Sequence, residues 1–219
     1  MNNTEEINKS ILKSNTSLVG IVCKDGVVLG ADRRSTAGTI VMDKNSQKIN
    51  KVNDYIAASY TGGVADLQLT HKILVAELRL KELKTKSRST VKEAAHLLSM
   101  LTYRNIRNMS MIPSIVGTLM AGVDENGKSS MFTIEPAGGV KEVTDFDANF
   151  SSGMPYIMGL LERTYKKDLT VKEGIELAKE ALKASTQRDT GSGNGIDVFT
   201  ITKDGIKHAV SEEIVALYK

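Results

Sequence analysis

Three residues stand where the apolar runs of the chain begin and end. Thr16 opens the first run, SLVGIVC; Asp32 closes the second, in ADRRST; Lys48 lies in the polar segment KNSQKI. Together they bring a hydroxyl, a carboxylate and an ammonium, the parts from which an activated nucleophile is built. Taken singly, each has an ordinary reading. Thr before an apolar run sits at a strand edge, Asp after a strand stabilises a turn, and Lys in a polar segment is a solvated charge. Commoner chemistries leave no trace, because the chain has no GxSxG elbow, no HExxH, no Walker loop and no cysteine with a His and Asn signature. The run GSGNG at 191–195 resembles a phosphate loop, but it follows a helical stretch and enters a strand, the reverse of the order a dinucleotide site needs.

Composition narrows the classes further. At 219 residues, with 41% hydrophobic and 25% charged content, the chain can bury one sizeable core, and one domain is the default. A formal charge of +3, spread along the length, offers no basic patch for a nucleic acid. Cys23 is the single cysteine, which rules out a disulfide within the chain, and His71, His96 and His208 have no metal-ligand spacing. Neither a metal nor a cofactor is expected. Residues 1–15, MNNTEEINKSILKSN, lack the apolar core of a secretory signal and read as a tail or pro-segment. No stretch reaches the roughly 18–20 apolar residues of a membrane span, so a cytoplasmic protein without a membrane partner is expected.

The elements that would position these residues follow from pattern. SLVGIVC and VVLGAD flank the turn Lys24-Asp25-Gly26; SIVGTLMAGV and SSMFTIE flank 124–127; IDVFTIT and IKHAV flank 203–205. These are three hairpins of antiparallel sheet, with runs apolar enough to be covered on both faces. Val64, Leu67, His71, Leu74 and Leu78 recur at helical steps and predict a helix over about 63–83. Thr90 with Glu93 and Thr170 with Glu173 match the capping box and each should open a helix. Another helix should start near Pro155 and run toward Tyr165. Hairpins separated by helix pairs favour an α+β fold of two stacked antiparallel sheets, each with a helical layer outside. Met100, Met109, Met111 and Met120 are expected to be adaptable core fillers.

Thr16, Asp32 and Lys48, together with TGG at 61–63, SSGMP at 151–155 and QRDTGSGNGIDV at 187–198, resemble proteasome β-type subunits along nearly the whole chain from Thr16. The resemblance implies the four-layer αββα sandwich of the N-terminal nucleophile hydrolases, with 1–15 a propeptide and 16–219 one catalytic domain. It implies a zymogen that cuts itself between Asn15 and Thr16 and then works as a threonine endopeptidase in protein degradation. Carried over by position, Thr16 is the nucleophile and its freed amino group the base. Lys48 supplies a fixed positive charge, Asp32 holds it, and the Gly62 amide contacts the oxyanion. Ser152, Asp189 and Ser192 form a supporting network. Thr36, Gly62 and Val64 match backbone positions that hold an extended peptide, and Ser35, Ser46, Asn50, Tyr60 and Val64 line the first specificity pocket. The bulk of Tyr60 is expected to make that pocket shallow. Implied partners are α-subunits and other β-subunits in stacked seven-membered rings, a regulatory ATPase and unfolded protein substrates.

The chain departs from the family pattern at three places. Asn15 stands where Gly precedes the catalytic threonine, Thr61 where Ala is more frequent, and Ser151 where Gly is usual. Asn tolerates left-handed backbone better than most residues, so self-cleavage should be hindered rather than forbidden. The alternative is a β-type subunit that stays uncut and fills a ring position without hydrolysis. The related bacterial double-ring peptidase subunit is a poorer match, since its chain is shorter and opens with Thr-Thr.

Overall fold

The computed structural model describes residues 15–214. The expected propeptide therefore lies outside the described residues, apart from Asn15. Twelve strands and four helices follow one another among the described residues: β1 (Leu18–Cys23), β2 (Gly26–Asp32), β3 (Ser35–Ala37), β4 (Ile40–Asp43), β5 (Ile49–Lys51), β6 (Ile56–Gly62), α1 (Val64–Thr85), α2 (Val91–Arg107), β7 (Val116–Val123), β8 (Ser129–Ile134), β9 (Val140–Val143), β10 (Phe146–Asp147), α3 (Met154–Thr164), α4 (Val171–Thr186), β11 (Gly195–Thr202) and β12 (Gly205–Glu213). One five-stranded sheet runs β10-β1-β2-β11-β12 and the other β5-β6-β7-β8-β9, with every pairing antiparallel. A short β3-β4 hairpin stands apart.

Alternation along the strands builds three cores. Leu18, Leu29, Ala57, Leu119 and Met131 meet between the sheets, while Val19, Ile21 and Val28 point the other way toward α3 and α4. On the far side, Ala58, Tyr60 and Met120 pack under α1 and α2 with Leu74, Leu78 and Leu98. The result is the expected αββα sandwich, in which β1, β2 and β7 are covered on both faces. That explains why their sequences read as unbroken apolar runs rather than alternating ones. Each fully buried Leu or Ile in these layers contributes about 1.5–3 kcal/mol.

Both predicted capping boxes form. Thr90 accepts from the Glu93 amide and Thr170 from the Glu173 amide, with each glutamate bonded back to the cap amide. Pro155 sits in the first turn of α3. No helix among the described residues is long and apolar enough to cross a membrane.

The methionine expectation fails for three of four residues. Met120, on doubly covered β7, is buried, but Met100, Met109 and Met111 are exposed. Met109 and Met111 fall in the irregular segment after α2, and Met100 lies off the α2 stripe of Ala94, Ala95, Leu98 and Thr102 that faces the sheet. Val64, at the start of α1, is half exposed and lines a cavity.

Thr170→Ala should remove the α4 cap and lower the free energy of unfolding by about 1 kcal/mol. Chemical denaturation checks this; an unchanged midpoint would mean that packing on β1, β2 and β11 alone fixes the start of the helix.

Candidate active site

The sheet register brings Thr16 and Asp32 together. Leu18 pairs with Ala31, so the chain just before β1 meets the end of β2, and the Asp32 amide bonds to the Ser17 carbonyl at 3.1 Å. Asp32 is a buried hub with four donors. Its Oδ1 accepts from Lys48 Nζ at 2.7 Å and the Ser17 amide at 2.8 Å, and its Oδ2 accepts from the amides of Arg34 and Gly193, both at 2.9 Å. Lys48 precedes β5 in the opposite sheet and is itself only 9% exposed, so the ion pair ties the two sheets at the site. Burial pushes the Lys48 ammonium below the ordinary lysine value, and the carboxylate beside it pulls in the opposite direction.

Thr16 is buried, and its hydroxyl donates to the Asn15 carbonyl at 2.7 Å. Its amide, a peptide N–H in the uncut chain, donates to Ser152 Oγ at 2.9 Å. Ser152 has one proton, and the Asp189 carboxylate at 2.7 Å is a nearer and stronger acceptor than the Thr16 carbonyl at 3.1 Å. Ser192 donates to the same Asp189 oxygen at 2.5 Å. Ser192 Oγ must then accept from Ser17 at 2.8 Å, and Ser17 from Ser185 at 2.5 Å. The protons therefore run in one direction, from Ser185 through Ser17 and Ser192 to Asp189, while Ser152 connects that carboxylate to the Thr16 nitrogen.

Sequence reasoning missed Ser17 and Ser185, both fully buried. A signal for Ser185 was present, since it continues the 177, 178, 181, 182 apolar stripe of α4 as a polar residue. Gly153 was missed too. A Cβ there would stand 2.0 Å from Ser17 Oγ and 2.2 Å from Ser185 Oγ, so the serine chain requires a glycine.

A cavity of about 400 Å³ opens beside Thr16. Ser35, Thr36, Ser46, Lys48, Asn50, Tyr60, Gly62 and Val64, all named from sequence, line it, and so do Arg34 and Gln68, which were not. Gly62 has φ +125°, and a Cβ would strike the Ile115 carbonyl at 2.0 Å, so no other residue fits there. Ser152, Asp189 and Ser192 stand on the nitrogen side of Thr16 and do not line the cavity. The family departures are accommodated. Ser151 bonds to the Ala148 carbonyl at 2.7 Å, and Thr61 pairs with Gly117 across the sheet. Asn15 packs on Gly191, where any Cβ would lie 1.7 Å from that of Asn15, and its amide reaches Thr36 Oγ1 at 3.4 Å.

Fold and site together describe a four-layer αββα sandwich with a buried threonine beside its cavity. A family model for proteasome subunits matches residues 12–201, and the chain belongs to that family. Archaeal proteasome β subunits are among its relatives. That of Methanocaldococcus vulcanius is 37% identical, covering 92% of this chain and 88% of its own. That of Nanoarchaeum equitans is 41% identical over 88% and 95%, and that of Methanococcus maripaludis 35% over 100% and 97%.

Asp32→Asn should remove the charge that opposes burial, so the Lys48 pKa falls further. The folded protein then binds fewer protons than the unfolded chain, whose lysines titrate near about 10.4, over a wider span of pH. Stability must rise with pH across that span. The expected loss is about 3–5 kcal/mol at pH 7, narrowing as the pH approaches that of free lysine. Urea unfolding at several pH values tests this, and a deficit that grows with pH contradicts it.

Proposed function

We propose that this chain is an active threonine endopeptidase subunit of a proteasome core particle, made as a precursor that frees Thr16 by cutting its own Asn15–Thr16 bond. The observation that carries the reading is the hydroxyl of Thr16 held against the carbonyl of Asn15, 2.7 Å away, beside the buried Lys48–Asp32 pair. In the processing step Oγ1 bonds to the Asn15 carbonyl carbon and the C–N bond to Thr16 breaks. The hydroxyl proton passes to the nitrogen, leaving an ester and a free amine, and water then hydrolyses the ester.

The freed amine acts as general base. An α-amino group has an unperturbed pKa of about 7.7–8.0, suited to taking the hydroxyl proton near neutral pH. Ser152, already bonded to that nitrogen, orients it, and Asp189 fixes the direction of the serine proton. Lys48 stabilises negative charge on Oγ1, and the Gly62 amide receives the oxyanion. The acyl group of a substrate moves to Oγ1, the leaving amine takes the proton, and water regenerates the hydroxyl.

Substrate is extended polypeptide. Among the described residues β3 pairs with β4 alone, and its Ser35 and Thr36 line the cavity together with Gly62 and Val64. A peptide laid there as an added strand gains main-chain hydrogen bonds, with the cavity taking the side chain before the scissile bond. Substrates are unfolded proteins in the cytoplasm, delivered through α-subunit rings by a regulatory ATPase.

In particles assembled with the α partner, Thr16→Ala should abolish hydrolysis of short fluorogenic peptides, and Thr16→Ser should retain it. Full activity in the Thr16→Ala particle would place the nucleophile elsewhere.

A further inference from the structure

The β6 strand runs into α1 through Gly62 and Gly63, so the end of the strand and the first turns of the helix share the cavity beside Thr16. Tyr60, Gly62, Val64, Leu67 and Gln68 all line it. Tyr60 nevertheless contributes little surface, being 1% exposed. Its ring belongs to the core between the sheet and α1, and its hydroxyl lies 2.8 Å from His71 Nδ1 on α1. The two rings meet edge to face, with centroids 5.6 Å apart and planes at 84°. Burial lowers the His71 pKa and raises that of the Tyr60 phenol, so both are neutral near pH 7. A neutral imidazole carries one N–H and one bare nitrogen, so the bond is made by either tautomer, with the phenol donating to Nδ1 or accepting from it.

The bulk of Tyr60 was expected to make the pocket shallow; the ring packs under α1 with Leu74 and Leu78. We propose that His71, which is not among the residues lining the cavity, is a specificity-determining residue: by holding the Tyr60 hydroxyl at α1 it keeps the cavity deep enough for a bulky apolar side chain before the scissile bond. This rests on the peptidase reading above. Without the imidazole, the buried phenol hydroxyl loses this partner at α1. The cavity side is polar, with Gln68, Asn50 and Ser46 among the residues that line it. The ring would turn toward them and fill the space.

The test compares kcat and KM on peptides that differ only in Ala, Leu or Phe before the scissile bond. Assembled particles are normalised to the fraction of chains with a free Thr16. His71→Leu should lower kcat/KM on the Leu and Phe peptides roughly tenfold, mainly through KM, and leave the Ala peptide unchanged. Tyr60→Phe/His71→Leu, which has no phenol needing a partner, should regain the wild-type ratio. If His71→Leu alone fails to assemble, assembly of the double variant with the wild-type ratio gives the same answer. A uniform loss across the three peptides, an unchanged ratio in His71→Leu, or a double variant as impaired as the single one overturns the assignment. Wild-type particles with a free Thr16 that cleave none of the peptides would instead overturn the peptidase reading beneath it.

Discussion

The buried pair of Asp32 and Lys48 is the constraint on which the rest of the site depends. An ammonium at 9% exposure persists only with a carboxylate beside it, since removing one member of such a pair leaves an uncompensated charge in the interior and costs about 3–5 kcal/mol. Asp32 meets that demand while accepting three backbone amides, from Ser17, Arg34 and Gly193. One carboxylate thereby fixes the residue after Thr16, the entry to strand β3, and the glycine loop before β11. The lysine comes from the segment that enters the opposite sheet. The site thus forms where the two layers of the sandwich close on each other.

A second network controls the nitrogen side of Thr16. Ser185 on α4, Ser17 next to Thr16 and Ser192 in the glycine loop pass their protons toward Asp189, and Ser152 completes the path to the Thr16 nitrogen. The two networks divide the work, with positive charge at the hydroxyl and a directed acceptor at the nitrogen. Gly153 leaves room for the serine chain, as Gly191 leaves room for Asn15. This second glycine bears on the unusual residue before Thr16. The side chain that replaces glycine at position 15 is seated against a position where no side chain exists.

Much of the architecture was legible in the sequence because it rests on local rules. The three long hairpins, both capping boxes and the layer order follow from turn residues, cap chemistry and apolar periodicity. The short strands β3, β4, β5, β9 and β10 were not foreseen, since two to four residues carry no period, and neither was β6, whose IAASYTG is small and polar enough to lack a strand signature. The exposed Met109 and Met111 misled because side-chain chemistry alone does not say which face a residue takes. At the site, Thr16, Asp32 and Lys48 were named through their resemblance to a family, for no spacing rule predicts that three residues so far apart converge. Ser17 and Ser185 escaped because a buried serine in an apolar stripe reads as a small core residue until its partners are seen. The Tyr60–His71 bond joins a strand to the helix after it, and only the packed structure shows that the ring lies under the helix.

The account turns on whether Thr16 becomes the first residue of the working chain. Intact mass of the subunit within particles assembled with the α partner measures that directly. The account predicts loss of residues 1–15 from the native chain and their retention in the Thr16→Ala chain. A native chain that keeps all 219 residues inside a fully assembled particle would contradict it and mark the subunit as a structural member of the ring.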